Sequence, residues 1–190
     1  MRPEIVYNKT IPVKLVQSVY EQACRLGVGV LTYKGNTIIH GNGVNEYSRI
    51  EAKINGMPME EVDNFTEYVD YPVNKFLMTG EPEKIAKAQD VMRQTFGEQL
   101  NIFRSEPFFL EIVPPSIDKA YSLGKLLEYL GEKKEQMICC GDGFNDKSMI
   151  AFAGLGVAMA NAQPEVKEVA DYITTSNDED GVALVIDRFM

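Results

Sequence analysis

The chain has 190 residues, is 45% hydrophobic and 25% charged, and carries 28 acidic residues against 19 basic ones for a net charge of −9. That composition belongs to a folded globular protein of one domain or two small ones. The acidic balance, with no basic patch in the sequence, argues against a general nucleic-acid binder or a ligand of anionic membranes, and no apolar run is long enough to span a bilayer.

The opening residues, Met1-Arg2-Pro3-Glu4, have no secretory-signal character. Cys139 and Cys140 are adjacent on a predicted strand, where their side chains point to opposite faces, so they suit neither a disulfide nor a metal. With Cys24 they read as small hydrophobes in a reducing compartment, and the expected location is cytoplasmic. His40 has no Cys or His at metal spacing and reads as a solvated or satisfied strand-end residue.

Taken in order, Glu4–Tyr7 predicts a short strand. Thr10 then caps a helix with Pro12 in its first turn, and Val16, Val19, Ala23 and Leu26 share one face of it. Gly27 ends the helix. Val28–Tyr33 and Thr37–His40, joined by Lys34-Gly35-Asn36, read as a β-hairpin. A helix is expected over Asn45–Ile54, then one short helix or loop across 55–71. Val73–Met78 is a strand. Gly80-Glu81-Pro82 opens a helix that buries Ile85, Ala88, Val91, Met92 and Phe96, and Leu100–Phe103 and Phe108–Val113 are two further strands. Adjacent strands without crossovers imply an antiparallel sheet with helices on one face, an α+β unit over residues 1–113.

Pro114-Pro115 breaks that pattern. From 114 to 190 helices and strands alternate: a helix over Asp118–Leu130 with Ala120, Leu123, Leu127 and Leu130 inward, then a strand over Met137–Cys140. A helix follows over 147–153, a strand over Leu155–Met159, a helix over Pro164–Ala170, a strand over 172–174 and a closing helix over Gly181–Phe189. This spacing predicts parallel crossover units. Gly141-Asp142-Gly143-Phe144-Asn145-Asp146 sits where the strand over Met137–Cys140 hands over to its helix. In open α/β sheets, ligands bind outside the carboxyl ends of the strands. Carboxylates beside the backbone N–H groups of such a turn suit a hard cation next to a phosphate. The bland alternative is a turn in which Asp and Asn only cap locally. A dinucleotide fingerprint does not fit, since the third glycine is missing and two acids would repel a pyrophosphate.

The run from Gly141 through Met149, with Ala153-Gly154-Leu155-Gly156-Val157-Ala158-Met159-Ala160-Asn161-Ala162 after it, resembles the fourth motif of Cof-type phosphatases of the haloacid dehalogenase superfamily. Val169–Thr174 and Asn177–Val182 agree with that family's tail, and Val113–Lys119 is similar to the segment carrying its third-motif lysine. The resemblance implies an α/β protein: part of a three-layer Rossmann-like core with a parallel sheet, under an α+β cap that selects substrates. It implies a Mg²⁺-dependent phosphatase of small phosphorylated metabolites such as sugar phosphates. Asp142 would be a direct Mg²⁺ ligand, and Asp146 would support the metal directly or through water. Asn145 would contact the phosphate, and Lys119 would neutralise it as a catalytic residue. The family's first motif, an apolar strand ending in Asp-x-Asp-Gly-Thr, and its Ser/Thr second motif have no counterpart here. Asp178-Glu179-Asp180-Gly181 follows a polar stretch and reads as a solvated helix start. The sequence therefore predicts a chain truncated ahead of the cap, inactive alone, whose strand 137–140 lies at an open edge able to pair with a second copy. The alternative function is a non-catalytic, oligomeric binding module.

Overall fold

The computed structural model describes residues 5–190, which divide into two compact units: residues 8–116, and residues 117–190 together with 5–7. The predicted strand at 4–7 is not seen. Glu4 lies outside the described residues, and Ile5–Tyr7 are in no strand.

In the first unit the opening helix is delayed. Ile11 is held extended by a bridge to Val73, with its N–H 2.7 Å from the Val73 carbonyl, and the proline that follows favours the same conformation. Pro12 rather than Thr10 therefore precedes a 3₁₀ turn at Val13–Leu15, and helix α1 runs Val16–Leu26. It ends at Gly27, which adopts the left-handed conformation (φ 65°) that glycine takes without steric cost. Strands β1 (Gly29–Lys34) and β2 (Thr37–Asn42) form the predicted antiparallel hairpin. Helix α2 (Glu46–Asn55) is capped by Asn45, whose side chain accepts from the Ser48 amide while the Ser48 hydroxyl accepts from Asn45 N–H.

The stretch 55–71 holds a strand that the sequence did not announce. β3 (Met59–Glu61) pairs parallel with β2, and α3 (Phe65–Tyr68) follows. Strand β4 (Phe76–Thr79), helix α4 (Pro82–Phe96) and strands β5 (Asn101–Glu106) and β6 (Phe109–Val113) complete a six-stranded sheet of order β3-β2-β1-β4-β6-β5. Every pairing except β2–β3 is antiparallel.

The helices are not confined to one face. Alternation along β1, β2 and β4 sends Val30, Ile39, Phe76 and Met78 toward α1 and α4, into the large core that Val19, Ile85 and Met92 also fill. Leu31, Ile38 and Leu77 point the other way, into a second apolar layer closed by Tyr47, Ile50 and Ala52 of α2. His40 shares this second face and is fully buried, with no partner for either ring nitrogen among the described residues. It is neither solvated nor satisfied, because β2 runs on to Asn42 and places it inside the strand.

In the second unit α5 (Lys119–Leu130) is followed by β7 (Ile138–Gly141), α6 (Lys147–Phe152), β8 (Leu155–Ala158), α7 (Pro164–Lys167), β9 (Tyr172–Ile173) and α8 (Gly181–Phe189). The sheet is parallel, of order β7-β8-β9, so β7 is an edge strand among the described residues. Its core is small, centred on Ile150, Ala158, Ala162 and Val166. The expected inner face of α5 is only half-buried: no residue of that helix is buried, and Leu130 is 57% exposed. An amphipathic pattern marks which side is apolar, but burial needs an element standing against it.

Candidate functional site

Because β7, β8 and β9 are parallel, their carboxyl ends open at the same end of the sheet, and the segments that follow them are laced together there. The Met159 amide donates to the Gly141 carbonyl (3.0 Å), Ala160 N–H to Thr175 O (3.2 Å), and Gln163 N–H to Asp142 O (3.0 Å). The acidic turn after β7 is therefore braced by the segment after β8, which is itself braced by the segment after β9.

Within the turn, Phe144–Asp146 form a 3₁₀ turn leading directly into α6. Asp146 is buried, and both its oxygens are engaged. Oδ2 accepts from the amides of Asp142 (3.0 Å) and Gly143 (3.1 Å), and Oδ1 accepts from Lys119 Nζ. This Asp is thus a local cap and, at the same time, the counter-ion of the lysine that opens α5. Lys119 is placed by its neighbour Asp118, whose carboxylate caps α5 by accepting from the Tyr121 amide at 2.8 Å. Gly141 is required by close approach: a Cβ there would lie 2.5 Å from Asp146 Cβ and 2.6 Å from its Cγ and Oδ2.

Asp142 differs from Asp146. Its residue is exposed, and one oxygen, Oδ2, accepts from Asn161 Nδ2 at 2.8 Å. Asn145 is half-buried between Phe144 and Asp146. So the structure brings Lys119, Asp142 and Asp146 into one constellation with Asn145 in the same turn, and it adds three groups that the sequence reading did not single out: Gly141, Asn161 and the paired amides of Asp142 and Gly143. Asn161 lay in plain view in the Ala160-Asn161-Ala162 segment, but its partner is 19 residues upstream, and only the β7–β8 pairing brings them together.

Chemically, Lys119 spends one donor on Asp146, and its side chain is half-exposed, which leaves donors for an anion. Among the described residues no group of three or more His, Cys, Asp or Glu converges as a metal cluster. A cation that demands three or four protein ligands does not fit this turn. One that takes a single carboxylate or two and keeps its waters, as Mg²⁺ does, fits Asp142, with Asp146 holding the turn beneath it. Cys139 and Cys140 are no alternative nucleophiles, since burial pushes both thiols up. Asp178 and Asp180 lie in the exposed turn before α8.

Known proteins share this fold. The family described as haloacid dehalogenase-like hydrolase matches residues 1–186. A solved haloacid dehalogenase-like hydrolase from Bacteroides thetaiotaomicron superposes with a TM-score of 0.86 at 44% identity, covering 97% of this chain and 69% of its own. YxeH of Bacillus subtilis, which carries a provisional phosphatase name, is 30% identical over 186 residues, 96% of this chain and 68% of its own length. The 5-amino-6-(5-phospho-D-ribitylamino)uracil phosphatase YcsE of the same organism is 51% identical over 90 residues, 47% of this chain and 36% of its own. The chain thus spans about two thirds of the first two relatives and about a third of YcsE. With a family match across nearly all of its residues and a shared fold at substantial identity, the chain belongs to the haloacid dehalogenase-like hydrolases.

Proposed function

We propose that this chain comprises the substrate-selecting cap (residues 1–113) and the C-terminal core portion (114–190) of a Cof-type, Mg²⁺-dependent phosphoric monoester hydrolase acting on small phosphorylated metabolites such as sugar phosphates. The observation that carries the reading is the turn after β7, where an exposed Asp142 carboxylate stands over a buried Asp146 paired with Lys119. The YcsE relative, whose name specifies a phosphorylated ribityl compound, supports the substrate class. The three free cysteines suit a cytoplasmic setting.

Phosphoryl transfer is catalysed mostly by positioning and by stabilising charge. Asp142 would hold Mg²⁺, which when bound neutralises phosphate oxygens. Lys119 faces the same anion from the start of α5, and Asn145 offers its side-chain amide. Asp146 keeps Lys119 and the turn in register. A covalent route needs an activated carboxylate in line with phosphorus. Asp178-Glu179-Asp180-Gly181, in its exposed turn, lacks the apolar strand that would deliver one, so the 190-residue chain alone is expected to be inactive. Turnover of p-nitrophenyl phosphate with Mg²⁺ tests this. Background rates are expected, and robust activity abolished by Asp178→Ala would overturn the reading.

A second reading rests on the edge position of β7. Ile138-Cys139-Cys140-Gly141 carries no charge to discourage pairing, which suits a homo-oligomeric, non-catalytic binding module joined through that edge. Light scattering on the eluting protein separates the two: a dimer inactive toward phosphate esters favours this one, and an active monomer eliminates it.

A further inference from the structure

We propose that Asn161 is the positioning residue for the Asp142 carboxylate, so that metal affinity at the turn depends on a side chain that never touches the metal. The inference rests on the Mg²⁺ reading above and adds a role to it.

Asn161 stands just past β8, between two groups that each demand the opposite end of its amide. Asp142 Oδ2 can only accept, and it receives Asn161 Nδ2–H at 2.8 Å. The Asn177 amide can only donate, and it gives its hydrogen to Asn161 Oδ1 at 3.1 Å. The two partners therefore fix which way the amide faces. The surrounding main chain fixes where it sits. Ala160 N–H is bonded to Thr175 O at 3.2 Å, Ala162 is buried, and Gln163 N–H holds the Asp142 carbonyl at 3.0 Å. Residues 161–163 thus grip Asp142 twice, once by its main chain and once by its carboxylate.

The consequence is directional. An exposed aspartate is free to change rotamer, and a metal that uses it must then meet the cost of ordering it. With Oδ2 tied to Asn161, the carboxylate is already oriented and Oδ1 is the oxygen left to coordinate. Partners of this kind, bonded to a ligating carboxylate, typically change metal affinity 10–100-fold when removed. No other side chain has a hydrogen bond to the Asp142 carboxylate among the described residues, so there is no substitute for Asn161 in this role.

The experiment titrates Mn²⁺, as a probe for Mg²⁺, into the 190-residue chain and reads free Mn²⁺ by electron paramagnetic resonance. Wild type, Asp142→Ala and Asn161→Ala are compared, with thermal midpoints recorded without metal. The expected result is that Asp142→Ala abolishes binding, while Asn161→Ala weakens it about 10–100-fold with a metal-free midpoint near that of wild type. Binding lost in Asp142→Ala but unchanged in Asn161→Ala overturns the inference and leaves the metal reading standing. Binding that survives Asp142→Ala, or is absent from wild type, overturns the metal reading and the inference with it. A measurement on wild type alone guards against a misfolded variant. Sub-stoichiometric Mn²⁺ should broaden the Asn161 side-chain amide signals together with those of the Asp142 turn, and an Asn161 amide that stays sharp while that turn broadens contradicts the proposal.

Discussion

Lowering the pH should destabilise the residue 8–116 unit through one side chain. His40 is fully buried, and among the described residues neither ring nitrogen has a partner. Burial drives its pKa down from 6.5 to about 4. Glu61 of β3 stands opposite His40 in register and Glu51 of α2 accepts from the Tyr33 hydroxyl; among the described residues neither is bonded to the ring. The folded state therefore keeps His40 neutral at pH values where the unfolded chain binds a proton, so stability falls as pH falls. The loss begins near the unfolded pKa of 6.5, reaches about 2 kcal/mol at pH 5, and levels off at about 3 kcal/mol below the folded pKa. His40→Leu removes the titration and the unpaired nitrogens together. It should raise stability at pH 7 by about 1 kcal/mol and flatten the window between pH 6.5 and 4. Urea denaturation of both proteins across that window measures the difference. Because His40 is the one histidine in the chain, its ring signals in an NMR titration need no assignment. A folded-state midpoint near 6.5, or parallel acid losses in wild type and His40→Leu, would refute the reasoning.

Other consequences concern the turn after β7. Gly141→Ala would set a methyl 2.5 Å from Asp146 Cβ, and should cost about 1–3 kcal/mol and displace the carboxylate that holds the Asp142 and Gly143 amides; faster hydrogen exchange at those two amides is the signature. Lys119→Met leaves the buried Asp146 carboxylate with amide donors but no cation. Since Lys119 is half-exposed and screened by solvent, the expected loss is about 1 kcal/mol, shrinking in high salt, and an urea midpoint unchanged at low salt would show the pair to be unimportant for stability.

Much of the fold could be read along the chain because local signals carried it. The β1–β2 hairpin has its glycine turn, α4 its proline start and 3.6-residue apolar spacing, and the second unit its strand–helix alternation. The acidic turn was legible for the same reason, since Asp142, Asn145 and Asp146 stand within five consecutive residues. What could not be read depended on which elements lie side by side. β3 is three residues long with two glutamates, and pairing with β2 is what makes it a strand. Periodicity located the apolar side of α5 but could not supply an element to cover it. His40 looked peripheral until α2 closed over its face of the sheet. The grip of Asn161 on Asp142 exists only because parallel strands bring their following loops to one end. Residue type and spacing specify what a segment can offer; burial and hydrogen-bond partnership are properties of pairs, and the pairs are made by tertiary structure.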